Sequence, residues 1–139
     1  MTKMTQPEKE QFLADLHVGV LALNDTDHGP LTVPVWYDYE PGGDLWFITA
    51  PGSRKGRLLS EGARVSLCAQ TESAPYQYVS IEGPVTAMDP RNGELVPMAV
   101  RYLGEEMGKA YAANAGQDDV VVRVHPERWL AVDYGKAGS

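Results

Sequence analysis

Cysteine is almost absent from this sequence, which limits how the chain can be stabilised. Cys68 is the single cysteine, so no disulfide can form within the chain, and this favours a reducing, cytoplasmic location. The first residues, MTKMTQPEKEQFL, contain no long apolar run, so we expect neither a signal peptide nor an anchor. No stretch reaches the roughly 20 apolar residues of a membrane helix, and we expect no membrane partner.

Basic residues are also scarce, since 12 Lys and Arg stand against 19 Asp and Glu and the net charge is −7. General nucleic-acid binding normally needs a basic face, so this balance argues against it. A local basic cluster in an acidic protein still permits an anionic ligand. With 139 residues, 43% of them hydrophobic, the sequence predicts one globular domain over residues 1–139.

Motifs of metal-dependent and nucleophilic catalysis are missing. His17, His28 and His125 are far apart and form no HExxH spacing, so we expect no metal site. No GxSxG or GxGxxG occurs, and Cys68 has no evident base. The sequence therefore offers no catalytic residue that can be named.

Strand patterns dominate the chain. Short alternating apolar runs separated by turns predict six to seven mostly antiparallel strands with short helices, which is a mainly β fold. The predicted helices cover 6–16, 53–60 and two segments between 89 and 114, and the predicted strands cover 17–23, 31–39, 44–49, 64–70, 77–88, 120–124 and 129–133. Gly83-Pro84 predicts a bend within a long strand, and a loose tail is expected from Gly135.

Phe47–Leu59 (FITAPGSRKGRLL) is the most informative stretch. It predicts a buried strand ending at Thr49, a Pro-Gly turn, and a helix with Ser53 as its N-cap. Arg54, Lys55 and Arg57 crowd the first turn, where the helix dipole is already positive. Free amides, hydroxyl groups and these cations are typical of a phosphate site, with Thr49 as a further donor. The alternative is a solvated basic helix face, and Arg57 in particular fits either interpretation.

Phe47–Leu59 and the following EGARVSLCAQ resemble the phosphate-binding core of the pyridoxamine 5′-phosphate oxidase-like split-barrel flavoproteins, a superfamily that includes deazaflavin (coenzyme F420) reductases. The shared pattern is an aromatic strand ending in Thr49, a turn, Ser53-Arg54-Lys55, a short helix and then Arg64–Leu67 (RVSL). The resemblance extends from about His17 to Val85. It implies a split β-barrel homodimer with cofactor sites at the interface.

The second predicted strand contains Pro34, which donates no ladder hydrogen bond and so indicates an edge strand or a bulge. The resemblance implies that Val33, Pro34 and Val35 lie against a flavin or deazaflavin ring. Trp36, Tyr76, Tyr78 and Trp129 are interpreted as dimer or core contacts in preference to cofactor contacts.

The resemblance further implies an oxidoreductase that uses FMN or coenzyme F420 to transfer a hydride to or from a small organic substrate. In such an enzyme the cofactor carries the chemistry, so no protein acid or base need be visible. A non-enzymatic module that binds flavin, deazaflavin or haem is the alternative, and a structural dimer with a vacant site is disfavoured by the cluster at Ser53–Arg57. The C-terminal Arg-x-His element of true pyridoxamine phosphate oxidases is missing, which argues against oxidation of vitamin B6.

Overall fold

The computed structural model describes residues 2–136, in which runs of strands are separated by short helices. The helices are α1 (Gln6–Ala14), α2 (Arg54–Arg57), α3 (Leu95–Leu103) and α4 (Glu105–Ala113). The strands are β1 (Gly19–Leu23), β2 (Leu31–Val35), β3 (Asp38–Tyr39), β4 (Leu45–Thr49), β5 (Arg64–Gln70), β6 (Gln77–Pro90), β7 (Val120–Val124) and β8 (Arg128–Asp133). A 3-10 turn covers Tyr134–Lys136, and the rest of the predicted tail lies outside the described residues.

All pairings between these strands are antiparallel, and the sheet curls into a split barrel with the strand order β2-β1-β5-β6-β7-β4-β3. Strand β6 pairs with β8 as far as Glu82 and with β7 from Val85 onward. The predicted bend at Gly83-Pro84 is therefore where β6 changes its partner. The mainly β, antiparallel split-barrel prediction is confirmed.

Alternation along the strands builds the core. In β5, Val65, Leu67 and Ala69 are buried while the residues between them are more exposed, as expected for a sheet with one covered face. The inward residues of β1, β4 and the first part of β6 follow the same rule and join the same core as Phe12 and Leu13 of α1. A capping box between Thr5 and Glu8 begins that helix.

The N-terminal helix ends earlier than predicted. It stops at Ala14, and the side chain of Leu16, expected on the apolar face, is 56% exposed. Asp15 adopts an extended conformation at the C-cap, which turns the chain away before Leu16 reaches the core. None of the helices found between residues 2 and 136 has the length and apolarity to cross a membrane.

The predicted second strand, 31–39, is divided into β2 and β3, and this raises the strand number to eight among the described residues. The interruption falls at Tyr37, whose amide donates to the Tyr102 hydroxyl at 3.0 Å. The Tyr37 carbonyl oxygen accepts from Arg101 Nε at 3.1 Å. Because the Tyr102 and Arg101 side chains of α3 bond the amide and the carbonyl of Tyr37, these two backbone groups are not available to a neighbouring strand.

Edge placement of β2 agrees with the interpretation of Pro34. Within residues 2–136 this strand pairs with β1 alone, in a register that sets Pro34 opposite Val20. Pro34 is exposed. Because it lies on an edge strand, its lack of an amide hydrogen costs no hydrogen bond in the middle of the sheet.

Gly83 provides a test of how strictly the bend limits the sequence. A Cβ atom placed on Gly83 would lie 1.7 Å from the carbonyl oxygen of His125, so any side chain must displace backbone. We expect Gly83→Ala to lower the free energy of unfolding by roughly 2–4 kcal/mol, measured by urea denaturation. Gly29→Ala is the matched control because its Cβ meets nothing within 4 Å. Equal loss in the two variants would contradict a steric requirement at the bend.

Candidate functional site

A cavity of about 450 Å³ lies between the free edge of β2 and the end of β4, and we call it the β2–β4 cavity. Strand, turn and helix residues form its wall: Val18, Pro34, Val35, Trp36, Ile48, Thr49, Ala50, Ser53, Lys55, Leu95, Met98, Tyr111 and Asp119. The volume is within the range of small-molecule sites in proteins. Five of the residues predicted from sequence therefore line one cavity: Pro34, Val35, Thr49, Ser53 and Lys55.

Local sequence shapes the turn that carries Ser53 and Lys55. The Ser53 hydroxyl accepts from the Gly56 amide at 3.0 Å, which is the predicted N-cap bond, and donates to the Ala50 carbonyl at 2.7 Å. Gly56 is required here, because a Cβ atom would lie 2.2 Å from the Ala50 carbonyl oxygen. Thr49 Oγ1 lies 3.4 Å from Ser53 Oγ, so two hydroxyl groups meet at the cavity wall.

Lys55 and Asp119 are the charged side chains of this cavity wall among the described residues. Burial lowers the pKa of the Lys55 ammonium from its ordinary value, and the Asp119 carboxylate opposes that shift. Between residues 2 and 136, no carboxylate comes within ion-pair distance of Lys55. A partly desolvated cation without a bonded partner is a favourable contact for an anionic group.

The other predicted site residues lie outside the cavity wall. Arg54 points to solvent, and its Nη2 atom lies 2.9 Å from Asp25 Oδ2. Arg57 Nη1 donates to the Gly52 carbonyl at 2.7 Å, which closes the turn. Val33 is half-buried on β2 without lining the cavity. Their contact with a cofactor stays a prediction.

Trp36 has a larger place in the site than its sequence position indicated. Its ring lines the β2–β4 cavity and stacks on Tyr102 with 5.1 Å between centroids and 6° between planes. The Tyr102 hydroxyl is held by backbone groups of Tyr37 and His17. Arg101 next to it donates to the carbonyl oxygens of Ala14, Asp15 and Tyr37. Helix α3 therefore fixes the orientation of Trp36 from behind the cavity.

Several wall residues were not predicted as site residues at all: Val18, Ile48, Leu95, Met98, Tyr111 and Asp119. Leu95 and Met98 belong to the apolar stripe of α3, so their sequence pattern marks them only as core. Tyr111 and Asp119 have no motif around them, and nothing in the local sequence links them to Ser53. They reach the cavity through the packing of α4 and of the loop before β7.

Among the described residues, the titratable side chains of the cavity wall are those of Lys55, Asp119 and Tyr111, and the wall offers little for metal chemistry. Between residues 2 and 136, no three His, Cys, Asp or Glu side chains come together as a metal site. The lining contains neither a histidine nor a cysteine. The arrangement is suited to holding a ligand with an anionic group near Lys55 and an apolar or aromatic part near Trp36.

The lowered pKa of Lys55 gives a pH prediction. Below the folded-state pKa, Lys55 is charged in both the folded and the unfolded protein, and folding carries the full cost of burying that charge. As the pH rises from the folded-state pKa toward the unfolded value of 10.5, the folded protein loses the proton first, and the free energy of unfolding increases. We expect Lys55→Met to be more stable than wild type near neutral pH, with the difference shrinking in alkaline buffer. Urea unfolding at both pH values measures it. Lys109→Met, at an exposed lysine of α4, is the control, and a pH-independent difference would contradict the burial effect.

Several known structures are similar to this chain. A conserved hypothetical protein from Mycobacterium tuberculosis is 24% identical, with a TM-score of 0.79 and coverage of 99% of this chain and 90% of that one. An F420 reductase is 22% identical (TM-score 0.62; 87% and 94% coverage). A heme binding protein from Mycobacterium smegmatis is 23% identical (TM-score 0.67; 100% and 57% coverage). At these identities the likeness concerns the fold.

No curated protein matches the chain significantly. A family model does, and it covers the chain from Thr5, the cap of α1, to Asp133, the end of β8, with the description pyridoxamine 5′-phosphate oxidase. The match extends well beyond Phe47–Leu59, since it takes in β7 and β8 and both helices of the α3–α4 pair. The chain belongs to the pyridoxamine 5′-phosphate oxidase-like family of split-barrel proteins.

Proposed function

We propose that this chain is an oxidoreductase that holds FMN or coenzyme F420 in the β2–β4 cavity and transfers a hydride to or from a small organic substrate. One observation carries the proposal: a free strand edge, an aromatic ring and an unpaired, partly buried lysine converge on a single cavity of about 450 Å³. FMN and F420 each combine a planar ring system with a phosphate on a flexible chain. The ring system matches the strand edge and the aromatic ring of the cavity, and the phosphate matches the lysine.

The phosphate end is supported by the turn after β4. Lys55 supplies a compact positive charge, and Thr49 and Ser53 supply hydroxyl groups 3.4 Å apart. In the structure Ser53 already donates to Ala50, so its direct bond to a phosphate requires the hydroxyl hydrogen to turn away from that carbonyl. Arg54 joins the phosphate only by leaving Asp25, whose side chain is 18% exposed, so binding would exchange one negative partner of Arg54 for another.

The ring end is supported by the edge strand β2. Pro34 and Val35 face the cavity from a strand whose second edge pairs with no other strand among the described residues. Trp36 follows them with a ring whose plane is fixed by Tyr102. The backbone and side chains here restrict a flat ligand to one orientation, which lowers the entropic cost of positioning it.

Bound in this way, FMN or F420 supplies hydride transfer itself, and the residues of this chain bind and orient. The apolar wall of Ile48, Leu95 and Met98 keeps water from one side of the cavity. The lack of a histidine in the lining is consistent with a reaction that needs no acid or base from the protein.

A non-enzymatic binding role is the second candidate, because the described residues of the lining include neither a histidine nor a cysteine. Among its forms, binding of haem has less support from the site, because iron is usually held by histidine or cysteine and the lining has neither. The two roles differ in turnover. With reduced FMN or F420 and a candidate organic acceptor both in excess over the protein, an enzyme oxidises many equivalents of reduced cofactor per site, whereas a storage protein does not accelerate that oxidation.

Absorbance titration tests which cofactor binds. The purified protein is mixed with FMN, coenzyme F420 and haem in separate series, and the change in each spectrum gives a dissociation constant. We expect saturable binding of FMN or F420 and weaker binding of haem. If haem alone binds, the oxidoreductase proposal is lost.

Lys55 tests the position of the phosphate. A hydrogen bond to a charged group contributes roughly 1.5–3 kcal/mol, so we expect Lys55→Gln to weaken cofactor binding by roughly ten- to a hundredfold. Arg54→Ala is expected to have a smaller effect, because Arg54 must first give up Asp25. Lys109→Gln on the exposed side of α4 is the control. Equal cofactor affinities of wild type and Lys55→Gln would contradict the placement of the phosphate at this turn.

We also propose that the protein forms a homodimer through the outer face of its sheet. Val20, Cys68, Ser80 and Leu130 lie in one row across four adjacent strands. Leu130 is 61% exposed and Val20 40%, so the row presents apolar surface to solvent. Val18 extends this face to the β2–β4 cavity, whose wall it joins. A second copy on this face would therefore border the cofactor.

Sedimentation velocity at micromolar protein tests the dimer. We expect wild type to sediment as a dimer and Leu130→Glu as a monomer, since the substitution places a charge in the centre of the proposed contact. Val96→Glu, at an exposed apolar residue of α3 away from this face, should remain dimeric. A monomeric wild type would refute both the dimer and a site shared between subunits.

A further inference from the structure

A second cavity adjoins the first and has a different chemical character. Its volume is about 650 Å³, and its wall includes Leu103, Met107, Ala110, Tyr111, Asn114 and Asp119. We call it the α4 cavity. Tyr111 and Asp119 line both cavities, so a molecule in the α4 cavity lies directly beside the contents of the β2–β4 cavity.

The apolar wall of the α4 cavity results from the way in which α4 packs. Gly108 faces α3, where a Cβ atom would lie 2.6 Å from the Cα atom of Val100, so the two helices touch through bare backbone. That contact occupies one side of α4. Met107 and Tyr111, four residues apart on another side, are 64% and 49% exposed. These large side chains contribute to no core and instead form a wall toward the cavity.

Charge at the α4 cavity has one sign only. Asp119 is the charged residue of its lining among the described residues. Arg91 holds Asp119 from outside the wall, with 3.6 Å between Nε and Oδ2, and its amide donates to the Asp119 carbonyl at 3.2 Å. Arg91 pairs with the carboxylate but is not a lining residue, so the carboxylate is the charged group that an entering molecule meets at the wall formed by the described residues. An anionic group entering this space would lose hydration and meet a negative charge.

We propose that the α4 cavity is a binding site for an uncharged, largely apolar organic molecule and that, resting on the oxidoreductase function proposed above, this molecule is the substrate. Met107 and Tyr111 supply the apolar contact surface. Asp119 excludes anionic analogues and is a specificity-determining residue. The acidic tail of F420 is excluded from this cavity for the same reason, so the cavity remains open beside a bound cofactor.

Two fluorescent probes that differ by one sulfonate test the site without any cofactor. N-phenyl-1-naphthylamine is neutral, and 8-anilinonaphthalene-1-sulfonate is the same molecule with a negative charge. Both gain fluorescence in apolar surroundings, so titration of the full-length apo protein yields a dissociation constant for each. In Lys55→Gln, which removes the cation that could hold a sulfonate in the β2–β4 cavity, we expect the neutral probe to bind at least roughly tenfold more tightly than the sulfonate, because only the sulfonate is repelled by Asp119.

Variants assign the binding to this cavity. Met107 lines the α4 cavity and not the β2–β4 cavity, so Met107→Glu should lower the affinity for the neutral probe by roughly tenfold or more. Ala113→Glu places the same charge on an exposed position of α4 outside the wall and should have no effect. Asp119→Asn should reduce the difference in affinity between the two probes, while Asp118→Asn, at the neighbouring exposed carboxylate, should leave that difference unchanged.

Thermal melting of each variant shows whether it is folded, and Met107→Glu keeps the test valid even if Asp119→Asn disturbs the loop held by Arg91. Unchanged affinity of the neutral probe for Met107→Glu would overturn the α4 site, whatever FMN or F420 does. Equal affinities of the Lys55→Gln protein for the two probes would overturn the exclusion of anions. The expected probe results in a protein that binds neither FMN nor F420 would sustain the binding site and remove only the oxidoreductase function.

Discussion

The division of β6 between two partners determines where the candidate site lies. The β2 edge, with Pro34 and Val35, connects to β6 through β1 and β5, whereas β4, with Thr49, connects to it through β7. In a flat sheet with this strand order the two walls of the β2–β4 cavity would be several strands apart. They meet because the sheet curls, and β6 passes at Gly83 from its pairing with β8 to its pairing with β7. Backbone geometry at one glycine is thus coupled to a site that contains none of the residues around it.

Helix α3 imposes the second constraint. Arg101 and Tyr102 bond backbone groups of segments that are 64 to 87 positions away in sequence. These bonds join the end of α1, the start of β1 and the break between β2 and β3. They also hold the ring beneath Trp36. A hydrogen-bonded scaffold therefore supports the aromatic part of the cavity, while the short turn after β4 supports its charged part.

What the sequence could predict depended on how local the causes were. The cap at Ser53, the edge position of β2 and the bend in β6 follow from residues within a few positions, and each has a steric or hydrogen-bonding reason. The break at Tyr37 and the cavity positions of Tyr111 and Asp119 depend on contacts between distant segments, which no local pattern encodes. The spacing of Leu16 alone predicted a position on an apolar helix face, but α1 ends at Ala14 and Leu16 lies beyond it. The direction in which Arg54 points depends on Asp25, a partner 29 residues away.

The contact at Gly108 has a consequence for how this site can change during evolution. Since α4 meets α3 through bare backbone, the distance between the helices is at its minimum, and any side chain at position 108 would push α4 outward. Tyr111 and Met107 would move with it, so one substitution would widen both cavities while every lining residue stayed the same. The size of the molecule that these cavities can hold is therefore set partly by a residue that lines neither of them. Variation at this position changes the space of the candidate site without altering its charges.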